Sequence, residues 1–158
     1  FERLSGHIDI LGMNEEELVD LTKRMGLNTE IDSITSVLDG LEVVIQQHPV
    51  KGIALHTKDY ALYYGRYFQG IDLEKGLTIG NLMAATKART GTYGTLEDCK
   101  ETLSLDLSPI GLAFARALRS IETKRYTCLV PTRYMKYPKS TIGLGDTFVA
   151  GVQMGFVN

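Results

Sequence analysis

The chain has 158 residues, 44% of them hydrophobic and 23% charged, the size and make-up of one compact domain with a packed core rather than a disordered or fibrous polypeptide. A formal net charge of -2 provides no broad basic field, so nucleic acid and anionic membrane are not expected partners and a small molecule is the default. Cys99 and Cys128 form no CxxC pair or Cys/His cluster, and no apolar run approaches the ~20 residues of a bilayer span.

Taken with a Phe1–Ser5 start that does not resemble a signal peptide, these features imply a reduced, cytoplasmic setting. The first residue is Phe and a strand pattern begins almost at once, which suggests a piece of a longer protein.

His7 to Leu11 reads as a strand. Asn14 to Met25 follows as a helix with Leu18, Leu21 and Met25 at helical spacing and Gly26 as C-cap. A second amphipathic stretch runs from Ile31 to Gln47 and stops at His48-Pro49. Gly52–His56 predicts a short buried strand, and Tyr60–Tyr64 the return strand of a hairpin after the turn signal Thr57-Lys58-Asp59. Three helices are expected next, over Leu77–Arg89, Leu96–Thr102 and Pro109–Ile121, the last with Pro in its first turn. Tyr126–Val130 is a further strand, Arg133–Tyr137 a candidate short one, and a helix of small residues runs from Asp146 onward. This alternation predicts an α/β architecture with a largely parallel sheet flanked by helices, and residues 1–158 form a single domain without repeat or linker.

The chemistry concentrates in Ser140-Thr141-Ile142-Gly143-Leu144-Gly145-Asp146. Gly143 and Gly145 permit close backbone approach, and the helix after them aims unpaired N–H groups and its positive dipole end at the loop, which makes an anion site. Two glycines at a loop-to-helix junction also occur for turning alone, and Asp146 there is equally an N-cap. In the functional reading Asp146 takes a proton from a substrate hydroxyl while the loop amides neutralise charge on a transferred phosphoryl group. The segment Thr147–Phe156 lacks any charge and so must be buried, which makes an acid at its entrance costly unless a ligand uses it. A dinucleotide fingerprint fails because Phe148 stands where its third glycine belongs, and a Walker A loop fails for want of Gly-Lys-Ser/Thr.

Residues 140–147, Ser-Thr-Ile-Gly-Leu-Gly-Asp-Thr, resemble the GxGD signature of ribokinase-like kinases, in the form seen in ADP-dependent glucokinases and phosphofructokinases. Gly12-Met13-Asn14-Glu15-Glu16-Glu17 is similar to that family's NxxE motif, and the segments at 53–64 and 127–138 are similar to its nucleotide-pocket strands. The resemblance implies a ribokinase-like, Rossmann-like three-layer fold and phosphoryl transfer from ADP to a hydroxyl of a hexose or hexose phosphate. It implies Asp146 as general base, Gly143 and Gly145 as the phosphoryl cradle, and Mg2+ held near Asn14, Glu17 and Asp146. His56, Thr57, Val130 and Tyr137 would line the nucleoside pocket. The resemblance further implies that the chain is the carboxy-terminal nucleotide-binding part of such an enzyme, without its amino-terminal part and lid domain. Glucose and fructose 6-phosphate stay undistinguished, and oligomeric state is unassigned.

Each assignment has a plain structural alternative. Asn14 and Glu17 make a capping box, His56 suits a hydrogen-bonded structural histidine, and Tyr60, Tyr63 and Tyr64 suit hairpin and core packing. Lys136 and Lys139 are solvated charges or phosphate contacts, while Arg66, Lys87 and Arg89 read as surface. The alternative functions are a nucleotide-binding module without catalysis and an ATP-dependent ribokinase-type sugar kinase.

Overall fold

The computed structural model describes residues 7–157, so the Phe1–Ser5 start lies outside the described residues. The elements, in order, are β1 (Ile10–Asn14), α1 (Glu15–Arg24), α2 (Ile34–Gln47), β2 (Gly52–His56), β3 (Tyr60–Gly65), α3 (Leu73–Thr90), α4 (Leu96–Leu103), α5 (Pro109–Leu118), β4 (Tyr126–Pro131) and α6 (Leu144–Val152). A 3-10 turn over Gln153–Phe156 follows.

The strands form one sheet in the order β1-β2-β3-β4. Only β1 and β2 run parallel; β2 to β3 and β3 to β4 are antiparallel. The expectation of a largely parallel sheet is therefore corrected to a mixed one. Two connections cause it: β2 and β3 are joined by the three residues Thr57–Asp59, too few for the crossover that a parallel pair requires, and β4, after three intervening helices, returns antiparallel beside β3.

Alternation along the strands divides the core in two. Ile53 and Leu55 of β2, with Tyr60, Leu62 and Tyr64 of β3, face Leu18, Val37, Leu41 and Val44 of α1 and α2. Ala54, Ala61 and Tyr63 face the other way, against Leu73, Leu77 and Ala84 of α3 and Phe148 and Val152 of α6. Helices thus cover both faces of the sheet.

Several boundaries differ from the sequence reading. The first strand begins at Ile10 rather than His7, and α3 begins at Leu73, where Asp72 caps it. The stretch Arg133–Tyr137 forms no strand; a single bridge pairs Arg133 with Leu107.

The expectation of a wholly buried final helix is also corrected. Thr147, Phe148, Gly151 and Val152 are buried, whereas Val149 is 42% exposed. The small residues serve close packing instead. A Cβ on Gly151 would lie 2.6 Å from Gly80 Cα, and one on Gly80 would lie 2.7 Å from the Phe148 carbonyl. Backbone contact between α3 and α6 needs glycine on both sides.

Candidate phosphate and nucleotide site

Parallel pairing sets the site. Asn14 lies opposite His56 at the carboxyl ends of β1 and β2, the edge where open α/β sheets bind ligands. The helix α6 arrives over those ends, its Phe148 ring stacked on His56 at 4.5 Å between centroids. Between them lies a cleft of about 620 Å³ lined by Asn14, Glu17, His56, Thr57, Gly145 and Asp146, among others. The three motifs, far apart in sequence, meet at one opening.

Side chains cap five of the six α-helices: Asn14, Ser33, Asp72, Thr95 and Ser108 accept amide hydrogens at α1 through α5. At α6 the N-cap is Gly143, in the left-handed region at φ 67, and no side chain caps the helix. The amides of Leu144, Gly145 and Asp146 are the ones an α-helix leaves without internal partners. A Cβ added to Gly145 would meet nothing within 4 Å, so space is open directly over the backbone there. Asp146 is exposed in the first turn and makes no hydrogen bond or ion pair with any described residue.

Across the cleft Asn14 and Glu17 form the complete capping box. Glu17 N–H donates to Asn14 Oδ1 at 2.9 Å, and Asn14 N–H donates to Glu17 Oε2 at 2.8 Å. The second Glu17 oxygen takes no part in the box. Among the described residues no three His, Cys, Asp or Glu side chains converge as a metal cage. The donor set fits magnesium bound largely through water, since that ion commonly keeps several waters and takes one or two carboxylates.

The proposed nucleoside residues divide. His56 is buried enough that its imidazole is pulled down from 6.5 to about 4, so it is neutral near pH 7 and serves as a flat, uncharged wall. The Thr57 hydroxyl is committed to the β2–β3 turn: it donates to the Tyr60 carbonyl and accepts from the Asp59 and Tyr60 amides. Val130 lies inside β4, packed on the α3 side, with its carbonyl accepting from Asn81 Nδ2 at 3.1 Å; it lines neither cleft. Tyr137 is 78% exposed and likewise stands outside both. A second, smaller cleft of about 160 Å³ shares His56, Thr57, Thr141 and Leu144 with the first and is closed by Asn81, Ala84, Thr132 and Met135.

Sequence reasoning missed Asn81 and Lys87. Asn81 sits in an apolar helix pattern, and an amide whose carboxamide clips a strand carbonyl leaves no local signal. Lys87 reads as surface, yet its Nζ donates to the Gly143 carbonyl at 3.3 Å.

Comparison with known proteins shows the family and the fold. The sequence profile of the family described as "ADP-specific Phosphofructokinase/Glucokinase conserved region" matches residues 1–156. An ADP-specific phosphofructokinase of Thermococcus litoralis is 27% identical over 96% of this chain and 36% of its own length. An ADP-dependent glucose/glucosamine kinase of Pyrococcus abyssi is 29% identical over 87% of this chain and 34% of its own. The chain thus spans about a third of the length of these curated relatives. Among solved structures, a hypothetical ADP-dependent phosphofructokinase from Pyrococcus horikoshii OT3 aligns with TM-score 0.75 at 22% identity, over 98% of this chain and 38% of that one. An ADP-dependent kinase in complex with fructose-6-phosphate and ADPbetaS aligns with TM-score 0.78 at 18% identity, over 96% and 39%.

Proposed function

We propose that this chain, which belongs to the ADP-specific phosphofructokinase/glucokinase family, carries the phosphoryl-transfer part of an ADP-dependent sugar kinase. The observation that carries the reading is the α6 entrance: an uncapped helix start with an unpaired Asp146 opening into the cleft that also holds Asn14, Glu17 and His56. The names of the relatives support ADP as donor and a hexose or hexose phosphate as acceptor.

In this reading the terminal phosphoryl oxygens of ADP lie against the Leu144 and Gly145 amides, at the positive end of α6. Asp146 accepts the proton of the sugar hydroxyl as its oxygen attacks phosphorus. The bond from phosphorus to the bridging oxygen breaks, AMP leaves with that electron pair, and the sugar phosphate forms. Glu17, with its remaining oxygen, and Asp146 would hold magnesium, which supplies charge neutralisation on the phosphates when bound. The neutral His56 ring, backed by Phe148, offers an apolar face to the nucleoside end.

The test is stoichiometry with the full-length protein, ADP, magnesium and either glucose or fructose 6-phosphate. One AMP released per sugar phosphorylated is the expected result. Phosphorylation with ATP but not ADP overturns the donor assignment, and no phosphorylation of either sugar overturns the kinase reading.

A further inference from the structure

The loop before α6 is fastened to α3 at two points. Upstream, the Ala88 carbonyl accepts from the Lys139 amide at 2.7 Å and from the Ser140 amide at 3.4 Å. Downstream, the Gly143 carbonyl accepts from Lys87 Nζ. That carbonyl has two further donors, the Thr147 hydroxyl at 2.8 Å and the Thr147 amide at 3.2 Å, both from within α6. Lys87 is the donor that ties this peptide to another element. Its ammonium is held in turn by the Tyr93 ring, 4.4 Å away, and it lies in the last turn of α3, where a cation is favoured by the helix dipole.

The peptide joining Gly143 to Leu144 is trans, as are all the peptide bonds described. In a trans peptide the C=O and N–H point in opposite directions. Holding the Gly143 oxygen toward Lys87 and Thr147 therefore aims the Leu144 N–H the other way, out of the helix start, and Leu144 lines the large cleft. The restraint matters because Gly143 at φ 67 has the freedom to turn this peptide over at little steric cost.

We propose that Lys87 is a positioning residue for phosphoryl transfer: through the Gly143 carbonyl it orients the Leu144 amide toward the terminal phosphoryl group of the donor. The inference rests on the kinase reading of the same loop and adds a determinant outside the loop. It separates two ligands, because ADP carries the phosphoryl group that this amide would meet and AMP does not.

Titrations of ADP and of AMP, with kcat, on full-length wild type, Lys87→Met and Lys87→Arg test it. Lys87→Met is expected to weaken ADP binding and lower kcat, each about tenfold, less than the cost of deleting an oxyanion donor outright. AMP affinity stays unchanged and Lys87→Arg restores most of the loss. Lys87→Met with wild-type ADP affinity and kcat overturns the proposal, as does equal weakening of ADP and AMP, the mark of a merely loosened fold. Wild type that binds neither nucleotide overturns the kinase reading itself, a failure seen before any Lys87 variant is compared.

Discussion

Gly145 separates the demands of folding from those of a ligand more cleanly than any other residue of the loop. It occupies the second position of α6, and the protein leaves open space where its side chain would be. Alanine there creates no clash and favours the helix by up to ~1 kcal/mol. Gly145→Ala is therefore expected to match or exceed wild type in thermal unfolding while losing turnover by roughly 10²-fold, the usual cost of an obstructed oxyanion donor. Unchanged turnover in this variant removes the argument that a phosphoryl group approaches the backbone there. Gly143 differs, because a Cβ at φ 67 is strained and would stand 2.8 Å from Lys87 Nζ. At this scale Asp146, Asn14, Glu17 and His56 were legible in the sequence as short motifs at strand and helix ends, and the structure brings all four to one cleft. Val130 and Tyr137 were named from a resemblance between strand and turn segments, and their side chains lie elsewhere. Lys87 was not legible, since its partner Gly143 is 56 residues away and no spacing rule links an α-helix to a loop so distant.

The elements that matter most are α3 and α6. A chargeless helix reads as fully buried when composition alone is considered, because apolar surface belongs inside. Glycine supplies a second reason for such a composition: Gly80 and Gly151 let two backbones touch, and one flank of α6 remains open to the cleft. The same seam carries Phe148 onto His56 and sets how the uncapped end of α6 faces β1 and β2. Gly151→Val inserts a side chain where the Gly80 Cα stands at 2.6 Å. Overpacking of this kind costs about 1–3 kcal/mol, or a fall of about 2–12 °C in the unfolding midpoint for a chain of this size. Thermal unfolding measures it, and a midpoint equal to wild type would show that the α3–α6 backbone contact is not the packing determinant. Helix types and approximate ends were readable from periodicity and caps. The direction of the strands was not, since it depends on connection length; the Thr57–Asp59 turn announced one hairpin, while the return of β4 beside β3 follows from long-range pairing.

Over the whole molecule, one parallel pair within a mixed sheet is enough to build the site. It places the ends of β1 and β2 side by side, with the capped start of α1 on one and the hairpin turn after the other. The two helices that begin at this edge differ in one respect: at α1 the Asn14 and Glu17 amides are each accepted by the other's side chain, and at α6 no side chain accepts an end amide. The first presents a carboxylate suited to a hydrated cation, the second presents bare amides suited to an anion, and Asp146 stands at the second. In the proposed function this pairing transfers the terminal phosphoryl group of ADP to a sugar hydroxyl with Asp146 as base. Its most direct test is Asp146→Asn in the full-length protein, with ADP affinity and turnover measured side by side. ADP affinity is expected within about threefold of wild type and turnover lower by about 10²–10⁴-fold, the range of a positioned general base. Turnover close to wild type would contradict it.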